Sequence, residues 1–174
     1  MQGLSALPAA AREAIRARLL GRPPRPPPIH LAATAAVFVT LRVAGELRGC
    51  MGTLEPQCED LVRETMERAV VAAFEDPRFP ALAADEFPRC TIEVTVLGPL
   101  EPAAFEDLDP GRYGVEVSDA LGRRAVLLPG IPGIDTAEEQ VEATRRKAGI
   151  PESAPIAIRR FSAVKVEEEG PGEP

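Results

Sequence analysis

The sequence has no tryptophan, one tyrosine and an aromatic content of only 4%. Its 45% of hydrophobic residues must therefore build an aliphatic core of Val, Ile, Leu and Ala. No apolar run approaches the roughly 20 residues that a membrane-spanning helix needs. Met1-Gln2-Gly3-Leu4 lacks a basic segment followed by an apolar one, so a secretory leader is not expected. His30 is the only histidine, and neither a CxxC nor an HxxxH spacing occurs. No metal site and no cofactor is expected from such a set. A P-loop and a GxGxxG string are absent too, which removes two signatures for nucleotide phosphates. Three cysteines, Cys50, Cys58 and Cys90, are an odd number at unrelated spacings. They argue against a disulfide framework and for a reducing cytoplasm. Lysine is scarce as well: Lys147 and Lys165 are the two among 20 basic residues, a bias of nucleotide composition in the source genome and not a mark of function.

What is present is a 174-residue chain of net charge −7, long enough for one domain. Four acids (Glu167, Glu168, Glu169 and Glu173) crowd the C-terminal end, so the body is only mildly acidic. That disfavours general binding to nucleic acid, which needs a basic face. The pairs Arg123-Arg124, Arg145-Arg146-Lys147 and Arg159-Arg160 are the residues that would contact RNA, the least favoured function. Residues 1–166 read as a single domain and 167–174 as a disordered acidic tail. Inside the domain, residues 22–28 (RPPRPPP) form a stiff extended linker, or a partner ligand of the PxxP kind.

The linker follows a helix at 8–20, with Pro8 in its first turn and Gly21 as C-cap. Alternation of Val37, Val39, Leu41 and Val43 predicts a strand at 36–43, turned by Ala44-Gly45 into a second at 46–54. A helix at about 59–75 stops at Asp76-Pro77. Residues 80–87 read as a short turn or helix, and 89–97 as a half-buried strand. Strands at 112–118 and 123–128 follow, then a helix at about 136–148 with Asp135 as N-cap and Glu138 completing a capping box. A strand at roughly 156–166 ends the fold. Hairpin, helix and strand thus occur twice in an α+β chain.

The strand at 46–54 carries the most informative string, Leu47-Arg48-Gly49-Cys50-Met51-Gly52. Glycine weakens a strand, so two of them three residues apart imply a kinked or closely approached backbone. With Glu75-Asp76-Pro77-Arg78-Phe79 and the strand Ile92-Glu93-Val94-Thr95-Val96-Leu97, it closely resembles the LRGC(I/M)G, DPRF and IEV elements of the AMMECR1 domain family. The resemblance runs from about Phe38 to Val166, and Gly133-Ile134-Asp135-Thr136 resembles the compact prokaryotic branch. It implies one strongly curved, mainly antiparallel sheet with helices packed on it. It also implies Memo-like and radical-SAM partners (the AmmeMemoRadiSam system), but no settled activity.

Three readings of Arg48–Gly52 remain open. Cys50 is a candidate nucleophile, activated by Arg48 or by the N-terminus of the helix beginning near Asp60, with His30 as the one available base. Alternatively Arg48, Gly49, Gly52 and Arg78 bind a small anion, a phosphate or a carboxylate. Or the motif is structural: a bulge, close helix–sheet packing, a small apolar Cys50, and Arg48 paired with Glu55 or Asp76. The leading expectation is a cytoplasmic protein whose RGCMG–DPRF cleft binds a small anionic ligand or performs cysteine chemistry. The alternative is a non-catalytic adaptor. Cys90 reads as core, and Cys58 as exposed before a helix.

Overall fold

The computed structural model describes residues 3–29, 31 and 34–168. Helix α1 spans Leu7–Leu19 and the hairpin strands β1 and β2 span Val37–Val43 and Glu46–Gly52. Ala44 and Gly45 turn the hairpin with φ of 52° and 83°, the two left-handed positions that a two-residue turn between twisted strands requires. Helix α2 spans Leu61–Phe74, and β3 Cys90–Leu97. Next come a short strand β4, Glu101–Pro102, the hairpin β5 (Gly114–Ser118) and β6 (Arg124–Leu127), α3 (Ala137–Lys147), β7 (Ala157–Phe161) and β8 (Ala163–Glu167). No helix of the described residues is long and apolar enough to cross a membrane.

The single curved sheet is corrected to two four-stranded antiparallel sheets, ordered β2-β1-β3-β8 and β4-β7-β5-β6. The chain divides accordingly into two compact units, one of residues 1–96 with 164–174 and one of 97–163. Each contains a hairpin, a helix and a strand that pairs antiparallel with the hairpin's first strand, β3 on β1 and β7 on β5. The strand expected over 156–166 is broken at Ser162. Its carbonyl accepts the Gly98 N–H (2.8 Å), and the two halves join different sheets.

In the first unit, Val37, Val39 and Leu41 of β1 and Ile92 and Val94 of β3 meet α1 and α2 in an aliphatic core. The helices present Ala10, Ala11, Ala14, Ala69, Ala72 and Ala73 to the interior. These small side chains let backbones approach closely. The approach is tightest at Gly49, where an added Cβ would lie 2.2 Å from the carbonyl oxygen of Ala72. Asp60 caps α2 by accepting the Arg63 N–H (3.0 Å). One turn on, the buried Glu64 carboxylate accepts the Thr53 hydroxyl and the N–H groups of Gln57 and Cys58 (2.8–2.9 Å), pinning the β2–α2 connection.

Glu167 and Glu168, expected in a disordered tail, are placed: Glu167 closes β8, and Glu168 is gripped by both Nε and Nη2 of Arg12 on α1; the rest of that segment lies outside the described residues. An ion pair of that geometry holds a segment that composition alone marks as solvated. In the second unit, Val115, Val117, Val141 and Ile150 form the core. The N-cap of α3 is Thr136 and not Asp135: its hydroxyl accepts the Glu139 N–H (3.2 Å), while the Glu139 carboxylate takes the N–H groups of Asp135 and Thr136.

Gly49→Ala is expected to lower stability by about 1–3 kcal/mol, the usual cost of forcing an extra carbon into a packed contact. Urea denaturation measures it; an unchanged midpoint would show that α2 can retreat from β2.

Candidate functional site

Strand β2 is irregular where the motif begins. Leu41 pairs with Gly49 but Arg42 with Leu47, so Arg48 is the extra residue of a β-bulge, a device that re-aims a side chain. Beyond it the alternation is regular. Gly49 faces α2, and Cys50, one residue on, belongs to the opposite face, where it pairs with Thr40. Gly52 pairs with Phe38, whose ring lies 2.4 Å from where a Cβ would stand. Both motif glycines are therefore space-making residues, one under a helix and one under an aromatic ring.

The bulge sends Arg48 across to the segment after α2. Its Nε and Nη2 donate to the two carboxylate oxygens of Glu86 (2.9 Å each), and Nη1 and Nη2 donate to the carbonyls of Pro80 and Ala81 (2.9 and 3.3 Å). The guanidinium is thus committed inside the protein. Its partner is Glu86, not the Glu55 or Asp76 expected from the sequence. The carboxyl of Glu86 is held down at about 2, first by Arg48 and then by the Ala83 N–H.

Asp76 has Arg78 instead. This carboxylate is buried, yet it accepts four donors: the Cys50 N–H (2.9 Å), the Arg78 N–H (3.1 Å), and Nε and Nη2 of Arg78 (3.0 and 2.7 Å). The Arg78 side chain, with the backbone donors, holds its carboxyl well below the usual carboxylate range. Nη2 of Arg78 also donates to the Cys50 carbonyl (3.1 Å). Its guanidinium pKa is raised chiefly by Asp76, with the Cys50 side chain a smaller contributor. The Arg78 side chain is nevertheless 54% exposed, against 12% for Arg48. So Arg48 and Arg78 both anchor the loop after α2, and only Arg78 offers charge to solvent.

Cys50 is half-buried, and its Sγ accepts the Thr40 hydroxyl (3.3 Å). The helix end that meets the motif is the C-terminal one, at Ala72, not the N-terminus near Asp60. The partial charge of a helix there is negative, so the expected helix assistance to a thiolate is absent. The candidate base His30 lies outside the described residues. Burial pushes the Cys90 thiol up to about 11, and burial with Glu67 and Glu64 does the same for Cys58. Among the described residues no three His, Cys, Asp or Glu side chains gather as a metal ion would require.

The arginine clusters expected to face RNA are largely engaged internally. Arg123 bonds Asp119 (2.8 Å) and the Gly149 carbonyl, Arg145 the Ala154 carbonyl, Lys147 the Val126 carbonyl, and Arg159 the buried Glu116. Sequence reasoning missed three contributors to the site: Thr40, Asp76 as the hub, and Glu86. Asp76 was within sight, because a buried carboxylate needs donors and its own motif supplies an arginine two residues on.

Two hairpin–helix–strand units and an Arg-Gly-Cys bulge locked to the loop after α2 define the class of protein. The chain belongs to the AMMECR1 family, whose model matches residues 8–166. It is similar to a Thermotoga maritima protein, 44% identical over 131 residues that cover 74% of this chain and 75% of that one. It is similar to a Thermococcus kodakarensis protein, 33% identical over 95% of this chain and 88% of the other. Among solved structures, the uncharacterised protein PH0010 from Pyrococcus horikoshii superposes with a TM-score of 0.86 at 32% identity, over 98% of this chain and 93% of that one.

A carboxyl whose pKa folding lowers contributes stability above its unfolded value and loses it as pH falls toward the folded value. For Glu86 that window runs from 4.5 down to about 2. Arg48→Gln is therefore expected to lower the melting temperature at neutral pH and to flatten the acid limb of the stability curve in that window. Thermal melts across pH measure both; an acid limb as steep as the parent's would contradict the Arg48–Glu86 assignment.

Proposed function

We propose that the protein binds a small anionic molecule at the corner formed by Arg78 and Cys50. Arg78 is the charge contact, the Cys50 thiol is the neighbouring reactive group, and Arg48, Gly49 and Gly52 shape the surface without touching the ligand. One observation carries this reading: Arg78 is gripped on one edge by the buried Asp76 and by the Cys50 carbonyl, yet remains more than half exposed. A guanidinium held this way loses little side-chain entropy on binding and presents planar donors suited to a carboxylate or phosphate. Thr40 donates to Cys50 Sγ, so the thiol is oriented as well. In this reading the protein works in a reducing cytoplasm, where its three free cysteines stay reduced. The Memo-like and radical-SAM proteins that the sequence resemblance implies are its working partners.

Two alkylating reagents that differ in charge test this at Cys50, resolved by peptide mass spectrometry. Anionic iodoacetate is expected to gain on neutral iodoacetamide in the parent protein. Arg78→Gln should reduce that ratio by about fivefold, the effect of a surface cation worth about 1 kcal/mol. A ratio that Arg78→Gln leaves unchanged would remove Arg78 as an anion contact. No labelling of folded Cys50 by either reagent would leave the motif a packing device.

A further inference from the structure

In the second unit the only tyrosine of the chain, Tyr113, is flanked by two guanidinium groups. That of Arg160 lies 4.5 Å from the ring centre and that of Arg112 5.0 Å. Each gains from the negative face of the ring, but two cations drawn to one ring repel each other. The groups that could balance them do so only partly. The Glu101 carboxylate, opposite Arg160 in the β4–β7 register, stands 4.0 Å from Nε of Arg160 and is 64% exposed, too far to bond and well screened. Arg160 Nη1 donates to the Asp107 carbonyl (3.0 Å), while its Nε is buried with no hydrogen-bond partner among the described residues. Among the described residues, the Arg112 guanidinium has only the ring. Glu101, Arg112, Tyr113 and Arg160 line one cavity of about 290 Å³, together with Ser162. The Ser162 hydroxyl has room to stand there because residue 98 is glycine: a Cβ at Gly98 would come within 2.4 Å of it.

We infer that this cavity is a binding site for the phosphate group of a small molecule, separate from the Cys50–Arg78 corner. Two arginines and a hydroxyl converge on a space of suitable size, one buried N–H lacks an acceptor, and one carboxylate leaves the cluster with surplus positive charge. Arginine forks match the oxygens of a phosphate in pairs, and a bound anion relieves the repulsion between the two guanidinium groups. The break between β7 and β8 is part of the site, since it brings Ser162 to the cavity beside Arg160.

Because tryptophan is absent and Tyr113 is the lone tyrosine, intrinsic fluorescence of the intact chain reports on this cavity alone. Inorganic phosphate and pyrophosphate, titrated against sodium chloride at matched ionic strength, are expected to give a saturable change. Arg112→Gln, whose side chain bonds no other group among the described residues, should weaken the response about tenfold, the scale of one lost charge-assisted contact. Arg160→Gln should do the same with its melting temperature recorded in parallel. Arg78→Gln should leave the response intact, which separates this site from the other. A linear, unsaturable response, an equal response to acetate, or a phosphate response that survives Arg112→Gln would each overturn the assignment.

Discussion

The carbonyl oxygen of Ala72 occupies the place where residue 49 would otherwise carry a side chain, and much of the first unit follows from that contact. With α2 seated directly on β2, the helix must end beside the motif. The residues that leave it, Glu75-Asp76-Pro77-Arg78, emerge next to Cys50. Proline prevents the helix from continuing, and the Asp76 carboxylate turns back to take the Cys50 N–H. Arg48, expelled from the ladder by the bulge, reaches over to Pro80, Ala81 and Glu86. The LRGCMG and DPRF strings, far apart in the chain, are the two halves of one junction.

The arginines of that junction divide the labour according to exposure. A buried carboxylate is tolerable only when its oxygens are fully bonded, and Asp76 meets this with four donors. Arg78 is more than half exposed, so solvent weakens its attraction to Asp76; the effect of the pair is to fix the direction of a cation beside a thiol. Arg48 is spent on structure. A motif that looks chemically rich in sequence is therefore largely engaged within the fold, and of its two arginines Arg78 is the one that reaches solvent.

The same hairpin–helix–strand scheme builds the second unit, with β6-β5-β7 arranged as β2-β1-β3. The units differ in what their loops carry. In the first, a carboxylate after the helix organises an arginine and a cysteine; in the second, two arginines gather on Tyr113. The strand pair β7–β8, interrupted at Ser162, serves both sheets in turn, so a single hydrogen bond from Gly98 marks where the chain passes from one to the other.

Local rules determined a good deal of this protein from sequence alone. Two-residue alternation placed β1, β3 and β5, Pro77 ended α2, Ala44-Gly45 turned the first hairpin, and the paired motifs identified the family. Such signals act over a few residues, where backbone sterics and amphipathic periodicity dominate. Tertiary structure decided the rest. Glu86, 38 residues from Arg48, becomes its partner only because the loop after α2 carries it there, while the nearer Glu55 and Asp76 do not pair with it. The C-terminal end of α2, not its N-terminus, meets the motif because small side chains let the helix settle onto Gly49. The one sheet becomes two because Ser162 breaks the last strand, and Glu168 is ordered because Arg12 lies within reach. Ion pairs, close approaches and strand exchange depend on distances in space, which residue order does not encode locally.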